Sequence, residues 1–245
     1  FVGILTFLDP PRPDTKHTID CADDFGVAVK MITGDHKAIA VETCRVLGMG
    51  TNVLGTDKLP LMQAADLEKC TTLGRDYGEL CRGADGFAQV YPEHKYLIVE
   101  ALRQQGFMVG MTGDGVNDAP ALKRADVGIA VQGATNAAQA AADIVLTEPG
   151  LSTIVTAIVT SRKIFQRMKN FVIYRIACTE QLLLFFFWSC IFYHPNEYNE
   201  DWPSYFYIPV IALVTITILN DGTIISVAYD NVHASQLPEK WDLNI

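Results

Sequence analysis

Gly110-Met111-Thr112-Gly113-Asp114-Gly115-Val116-Asn117-Asp118-Ala119-Pro120 decides how this chain reads. The apolar, β-prone run Phe107–Met111 leads directly into two carboxylates and an amide set between glycines. Pro120 then opens a helical pattern, because its fixed φ suits the first turn of a helix. A strand that ends in a Gly-rich acidic turn before a helix is a place to hold Mg²⁺ against a phosphate. Asp114 and Asp118 supply hard oxygen ligands of the kind Mg²⁺ takes. The glycines let backbone N–H groups approach an anion. A lone Gly-Asp-Gly would be an ordinary acidic surface loop; eleven residues in this order are not.

Outward from that turn, the chain divides by composition. It has 245 residues, a net charge of -9 and 49% hydrophobic residues. An acidic balance argues against nucleic acid, which requires a basic face. The first 150 residues resemble a soluble domain in composition, whereas 171–229 hold two long apolar runs with few charges. The first residue is Phe1, so the sequence reads as an internal piece of a longer chain with no signal peptide. Six cysteines occur at 21, 44, 70, 81, 178 and 190, none in a Cys-x-x-Cys pair. Reduced thiols, not a disulfide framework, are expected.

Within residues 1–150, short apolar runs alternate with helical patterns. The runs are Val27–Ile32, Phe87–Val90, Phe107–Met111, Val127–Val131 and Ile144–Leu146. The helix candidates are Thr15–Phe25, Lys37–Leu47, Glu93–Gln105, Ala119–Arg124 and Asn136–Ala142. Such alternation predicts an α/β fold with a parallel sheet covered on both faces. Ligands of these sheets sit beyond the carboxyl ends of the strands. Thr33-Gly34-Asp35 follows one strand and the acidic turn follows another, so both are expected at that edge. The stretch 51–85 is less periodic and reads as a loop with a short helix. Asp14 is the expected cap of the first helix, and His36 and His94 lack metal-ligand partners at useful spacing.

Residues 151–170 form a helical pattern ending in Arg162, Lys163, Arg167 and Lys169. Cationic residues beside an apolar run mark the cytoplasmic side of a membrane. Phe171–Tyr193 is long enough to span, and His194–Ser204 reads as an exposed turn. Tyr205–Tyr229 reads as the returning span, which makes 171–229 a helical hairpin. Its uninterrupted apolar part ends at Leu219, so the span must run through Asn220-Asp221-Gly222. That turn-forming tripeptide predicts local unwinding, a recurring way to build ion sites. Asp221 lies inside the apolar segment, where an ionisable group is functional by default. Arg175 is the nearest candidate cation in the hairpin, and it either pairs with Asp221 or snorkels to the interface. Glu180, five residues on and about 140° around the axis from Arg175, needs another partner, a protonated state or a watery cavity. Residues 230–245 read as a cytoplasmic tail segment.

Together, Asp9-Pro10-Pro11-Arg12, Met31-Ile32-Thr33-Gly34-Asp35, Tyr91-Pro92-Glu93-His94-Lys95 and the acidic turn resemble the motifs of the P-type ATPases. Thr147-Glu148-Pro149-Gly150, the stretch 161–170 and Ile218-Leu219-Asn220-Asp221-Gly222-Thr223 resemble the plasma-membrane proton pumps of that family. The resemblance covers nearly the whole chain. It implies a haloacid-dehalogenase-like phosphorylation domain in residues 1–150, a stalk helix in 151–170 and the fifth and sixth membrane spans. It also implies a multi-pass plasma-membrane protein with residues 1–170 in the cytoplasm.

Roles follow as the resemblance implies them. Thr33 and the Gly34 N–H bind the transferring phosphoryl group of ATP, and Lys95 neutralises its developing charge. Asp114 ligates Mg²⁺, with Asn117 and Asp118 orienting the phosphate and the metal shell. Asp9, Arg12 and Asp35 belong to the nucleotide side of the site. Asp221, with Asn220, Arg175 and Glu180, serves the transported proton. Gln181 stands where the proton-pump branch often has Arg or His deeper in the span. The phosphorylated Asp-Lys-Thr-Gly-Thr segment is missing from this sequence, so the expected nucleophile and other domains belong to a parent protein. No Gly-x-x-x-x-Gly-Lys-Ser/Thr occurs, which removes a P-loop reading. A Ca²⁺ or Na⁺/K⁺ pump and a decayed, non-catalytic pump fragment remain as alternatives; a soluble phosphatase of the same fold would keep its own nucleophilic aspartate and lack the hairpin.

Overall fold

A computed structural model of the chain describes residues 10–62, 66, 69–198, 201, 203–227 and 229–241. The chain forms two compact units, Phe1–Thr156 and Ala157–Ile245. Asp9 lies outside the described residues.

In the first unit, helix α1 (Thr15–Asp24) is followed by strand β1 (Met31–Ile32), helix α2 (Lys37–Leu47) and strand β2 (Val53–Leu54). Next come helix α3 (Leu73–Gly83), strand β3 (Gly86–Phe87), helix α4 (Pro92–Gln104) and strand β4 (Gly110–Gly113). Helix α5 (Ala119–Arg124), strand β5 (Val127–Ala130), helix α6 (Asn136–Ala141) and strand β6 (Ile144–Val145) complete it. Every described strand pairing is parallel. The expected single sheet is instead two three-stranded sheets, ordered β1-β3-β2 and β4-β5-β6. β1 and β4 are end strands, each paired along one edge only, with β3 and β5. Ile32 packs against both apolar clusters, one around Phe87 and Leu97 and the other around Met111 and Leu122.

Helix α4 is the centre of this unit. Leu97, Ile98 and Ala101 enter the first cluster while Val99 enters the second. A helix buried on several faces has no room to roll, and the position of its N-terminal turn is fixed by both clusters. Buried Glu100 receives Arg124 from α5 through two hydrogen bonds, of 2.5 and 2.7 Å. Burial would raise the Glu100 carboxyl; the Arg124 and Gln104 hydrogen bonds outweigh it and hold the group below the usual range.

Two elements were not legible in the sequence. Strand β2 and the eleven-residue α3 fall in the stretch expected to be loop and short helix. Gly74, Gly78 and Gly83 lower the helical propensity of α3. The structure shows what two of them do. A Cβ on Gly74 would lie 2.6 Å from Gln104 Cβ, and one on Gly78 would meet the Gln105 side chain. Close approach to α4 requires glycine at position 74, where the neighbours are Gln104 Cβ and backbone atoms; at position 78 the Gln105 side chain would have to move. Asp14 is also corrected: at the head of α1 its carboxylate makes no cap bond. Its Oδ2 instead accepts the Leu151 N–H at 3.1 Å.

The second unit is helical. Helix α7 (Ser152–Phe192) begins at the end of the first unit and runs unbroken for 41 residues, about 62 Å. Helix α8 (Val210–Val227) has 18 residues, about 27 Å. Both are long and apolar enough to cross a membrane. Helix α8 starts later than Tyr205, because Pro209 disfavours helix in the residue before it and its carbonyl accepts the first helical amides, Ala212 and Leu213. The unwinding expected at Asn220-Asp221-Gly222 does not occur. The helix continues through it, and the Thr223 hydroxyl bonds back to the Leu219 carbonyl at 3.0 Å. Continuous helix satisfies every backbone group internally, which is what an apolar medium demands.

After α8 the chain returns along α7 as a strap. Arg167 donates to the Asp230 carbonyl at 3.1 Å and Arg162 to those of Ser235 and Gln236 at 3.0 and 2.7 Å. Lys169 pairs with Glu239 at 3.1 Å, and Trp241 meets Phe165 edge to face. Three of the four residues of the basic collar thus hold protein.

Candidate functional site

The acidic turn of the first unit folds around Asp118. Strand β4 ends at Gly113, and a single 3₁₀ turn, Val116–Asp118, leads into α5. Asp118 is buried. Its Oδ1 accepts from Lys95 Nζ at 2.6 Å, and its Oδ2 accepts from the Asp114 and Gly115 amides, each at 3.3 Å. A Cβ on Gly113 would lie 2.6 Å from Asp118 Cβ, so glycine lets the turn close on the carboxylate. One buried side chain therefore fixes both a cation and the backbone of the turn. Asp114 and Asn117 are exposed, and their side chains have no hydrogen-bond or ion-pair partner among the described residues.

Thr33 stands at the end of β1. Its N–H donates to the Phe87 carbonyl at 2.9 Å and its carbonyl accepts from Val90 at 3.1 Å. The Thr33 hydroxyl donates to Asp35 Oδ2 at 2.9 Å and accepts the Asp35 N–H at 3.1 Å. Gly34 is exposed beside the Val90 carbonyl. Val90 opens directly into Tyr91 and the capped start of α4, whose first turn carries Lys95. A continuous set of contacts therefore runs from Thr33 through Val90 and Lys95 to Asp118 and the Asp114 amide. Arg12 is exposed ahead of α1, its carbonyl accepting the Thr15 N–H.

His36 caps α2, accepting the Ala38 N–H at 3.3 Å. His94 is fully buried, and its Nδ1 accepts the Tyr91 N–H. Burial pushes the His94 imidazole below its ordinary value, in keeping with an acceptor nitrogen. Both histidines are structural. Among the described residues no group of three or more His, Cys, Asp or Glu could enclose a metal. One exposed carboxylate beside ordered backbone amides fits Mg²⁺, which keeps several waters and takes phosphate oxygens; it fits neither a zinc cage nor a many-ligand calcium loop.

Sequence reasoning missed one residue in this neighbourhood. The run Phe87–Val90 reads as strand, yet Gln89 has φ 57°, the only positive φ at a non-glycine position among the described residues. Nothing local signals it, because glutamine is not a residue that marks left-handed backbone.

In the second unit, Arg175 Nη1 meets Asp221 Oδ1 at 2.5 Å. Of the two expectations for Arg175, pairing is the one observed. Both side chains are about half exposed, 51% and 56%, on helices with no buried residue of their own. Thr179, Thr215 and Thr217 bond to carbonyls four residues back within their own helices, so the ion pair links α7 to α8 without them. The side chains of Glu180 and Asn220 have no such partner among the described residues. All six cysteines are free.

The chain is 56% identical to "Probable proton ATPase 1B" and to "Probable proton ATPase 1A" of Leishmania donovani, over 99% of its own length and 25% of theirs. It is 49% identical to "Probable plasma membrane ATPase" of Dictyostelium discoideum, over 99% of its length and 21% of that protein's. The chain thus spans about a quarter of the length of these relatives. A family profile described as haloacid dehalogenase-like hydrolase matches residues 1–126. With parallel strands, interleaved helices and an acidic turn at the end of β4, the chain belongs to the haloacid dehalogenase-like hydrolase family.

Proposed function

We propose that the chain is part of an ATP-driven P-type pump that exports protons across the plasma membrane. The observation that carries this reading is the Arg175–Asp221 pair, held between two membrane-capable helices in a chain whose other unit carries an acidic turn closed around Asp118 and Lys95. Its likeness to proteins named as proton and plasma membrane ATPases supports the same reading.

The phosphoryl group of ATP passes to an aspartate of the parent protein outside these residues. The attacking carboxylate forms the new oxygen–phosphorus bond as the bond to the bridging oxygen breaks and ADP leaves. Thr33 Oγ1 and the Gly34 N–H hold the phosphoryl oxygens, and Lys95 neutralises charge as it develops. Asp118 keeps Lys95 and the acidic turn in place. Asp114 is the direct ligand for Mg²⁺, which when bound neutralises phosphate charge, and Asn117 orients the phosphate. The motifs in which they stand assign Asp9, Arg12 and Asp35 to the nucleotide.

The unbroken α7 carries the coupling. Asp221, which the structure pairs with Arg175, is the residue that exchanges the proton. Asn220 and Glu180 complete the polar positions of the path. The engagement of Asp221 by an arginine argues against a Ca²⁺ or Na⁺/K⁺ site, where several free oxygen ligands are needed. Moving one charge against 100 mV takes about 2.3 kcal/mol, so leakage through an uncoupled Asp221 is not tolerated. Replacing Asp221 with Asn in the full pump, reconstituted in vesicles, abolishes proton transport. Undiminished pumping refutes the assignment.

A further inference from the structure

Gln89 combines an unfavourable backbone with a position between the two phosphate-binding segments. A left-handed residue other than glycine costs about 1–2 kcal/mol, and such strain persists only where the surroundings over-determine it. The surroundings here are explicit. Ala88 and Val90, on either side, are buried at 0% and 7% exposure and belong to different apolar clusters. The Ala88 amide is held by the Leu54 carbonyl, the Gln89 amide by that of Asp35, and the Val90 amide by that of Thr33, at 2.9, 2.9 and 3.1 Å. The Gln89 side chain is exposed and makes no hydrogen bond among the described residues. The constraint therefore acts on the backbone and not on the carboxamide.

We propose that Gln89 is a positioning residue for phosphoryl binding: its left-handed turn clamps the Thr33–Asp35 loop and, in the same bend, delivers the start of α4 so that Lys95 reaches Asp118. Extended backbone at residue 89 would continue the strand and carry Val90 and Tyr91 away from Thr33. Both groups that face the phosphoryl oxygens would then lose their register at once. This inference rests on the function proposed above and adds to it a residue that touches neither phosphate nor metal.

The test uses the full-length pump and reads phosphate binding apart from nucleotide binding. Phosphoenzyme formation from inorganic phosphate and inhibition by vanadate report on the clamp, while KM for ATP reports on the nucleotide side. Gln89→Val, β-branched and poorly suited to positive φ, lowers apparent affinity for phosphate and vanadate about tenfold without a matching rise in KM. Gln89→Gly and Gln89→Asn, which accept this backbone, rescue the loss. If Q89V fails to fold, the order Gly above Asn above Ala carries the same test. Wild-type phosphate affinity in Q89V overturns the inference, as does a Q89G variant as impaired as Q89V. Absence of any phosphoenzyme in the wild-type pump overturns the proposed function and this inference with it.

Discussion

The two units handle charge and apolar surface in opposite ways. In the first, the core is made within the chain: Phe87, Leu97 and Leu122 are fully buried, and the buried charges Glu100 and Asp118 each have a dedicated cation. In the second, no residue of α7 or α8 is buried. Leu183 is 66% and Ile211 78% exposed, and even the Arg175–Asp221 pair lies open. Soluble proteins rarely leave so much contiguous apolar surface uncovered. One unit buries an apolar core of its own; the other leaves its apolar surface for lipid or further helices to cover.

That contrast can be broken by experiment. The largest effect falls on Asp118→Ala in the intact protein, which strands partly buried Lys95 and removes the acceptor of two turn amides. A loss of about 3–5 kcal/mol is expected, read as amide hydrogen-exchange protection in β4 and β5. Protection at the wild-type level would mean that the acidic turn is held by something other than this carboxylate. In the hairpin, Leu183→Asp touches no packed neighbour yet raises the cost of membrane insertion by about 3–4 kcal/mol, measured by a glycosylation-tag insertion assay. Unchanged insertion would place that face of α7 in water and end the contrast.

The smallest effect sharpens the first unit alone. Burial lowers the His94 pKa, so the unfolded chain binds its proton at higher pH than the folded one. Stability is then full above the unfolded value near 6.5 and declines as pH falls below it. Exchange protection of the α4 amides weakens between neutral pH and about pH 5.5, and His94→Gln flattens the slope.

Legibility follows the same division. The turns at Thr33-Gly34-Asp35 and Gly113–Asp118 were readable because glycine, carboxylate and proline dictate turns through local chemistry. Helices α2 and α5 have the bounds expected from periodicity and punctuation. What escaped was tertiary in origin. Helix α3 was hidden by glycines whose purpose is the surface of α4, and β1 stops short of Val27–Ile32 because β3 pairs with it over two residues only. The left-handed Gln89 is imposed by hydrogen bonds to β2 and to the Thr33 loop. In the hairpin, charge spacing left Arg175 either pairing with Asp221 or snorkelling, and the pair is what forms, while turn propensity misjudged Asn220-Asp221-Gly222, which continues as helix.

The strap that follows α8 has a mechanical consequence. With its near end tied at Asp230 and its far end at Glu239 and Trp241, the polypeptide forms a closed girdle from α7 across the turn, through α8 and back. Sliding one helix lengthwise past the other would have to tear those ties before it could travel a full pitch. Motion of α7 against α8 that keeps those ties is tilting and swivelling, not lengthwise travel.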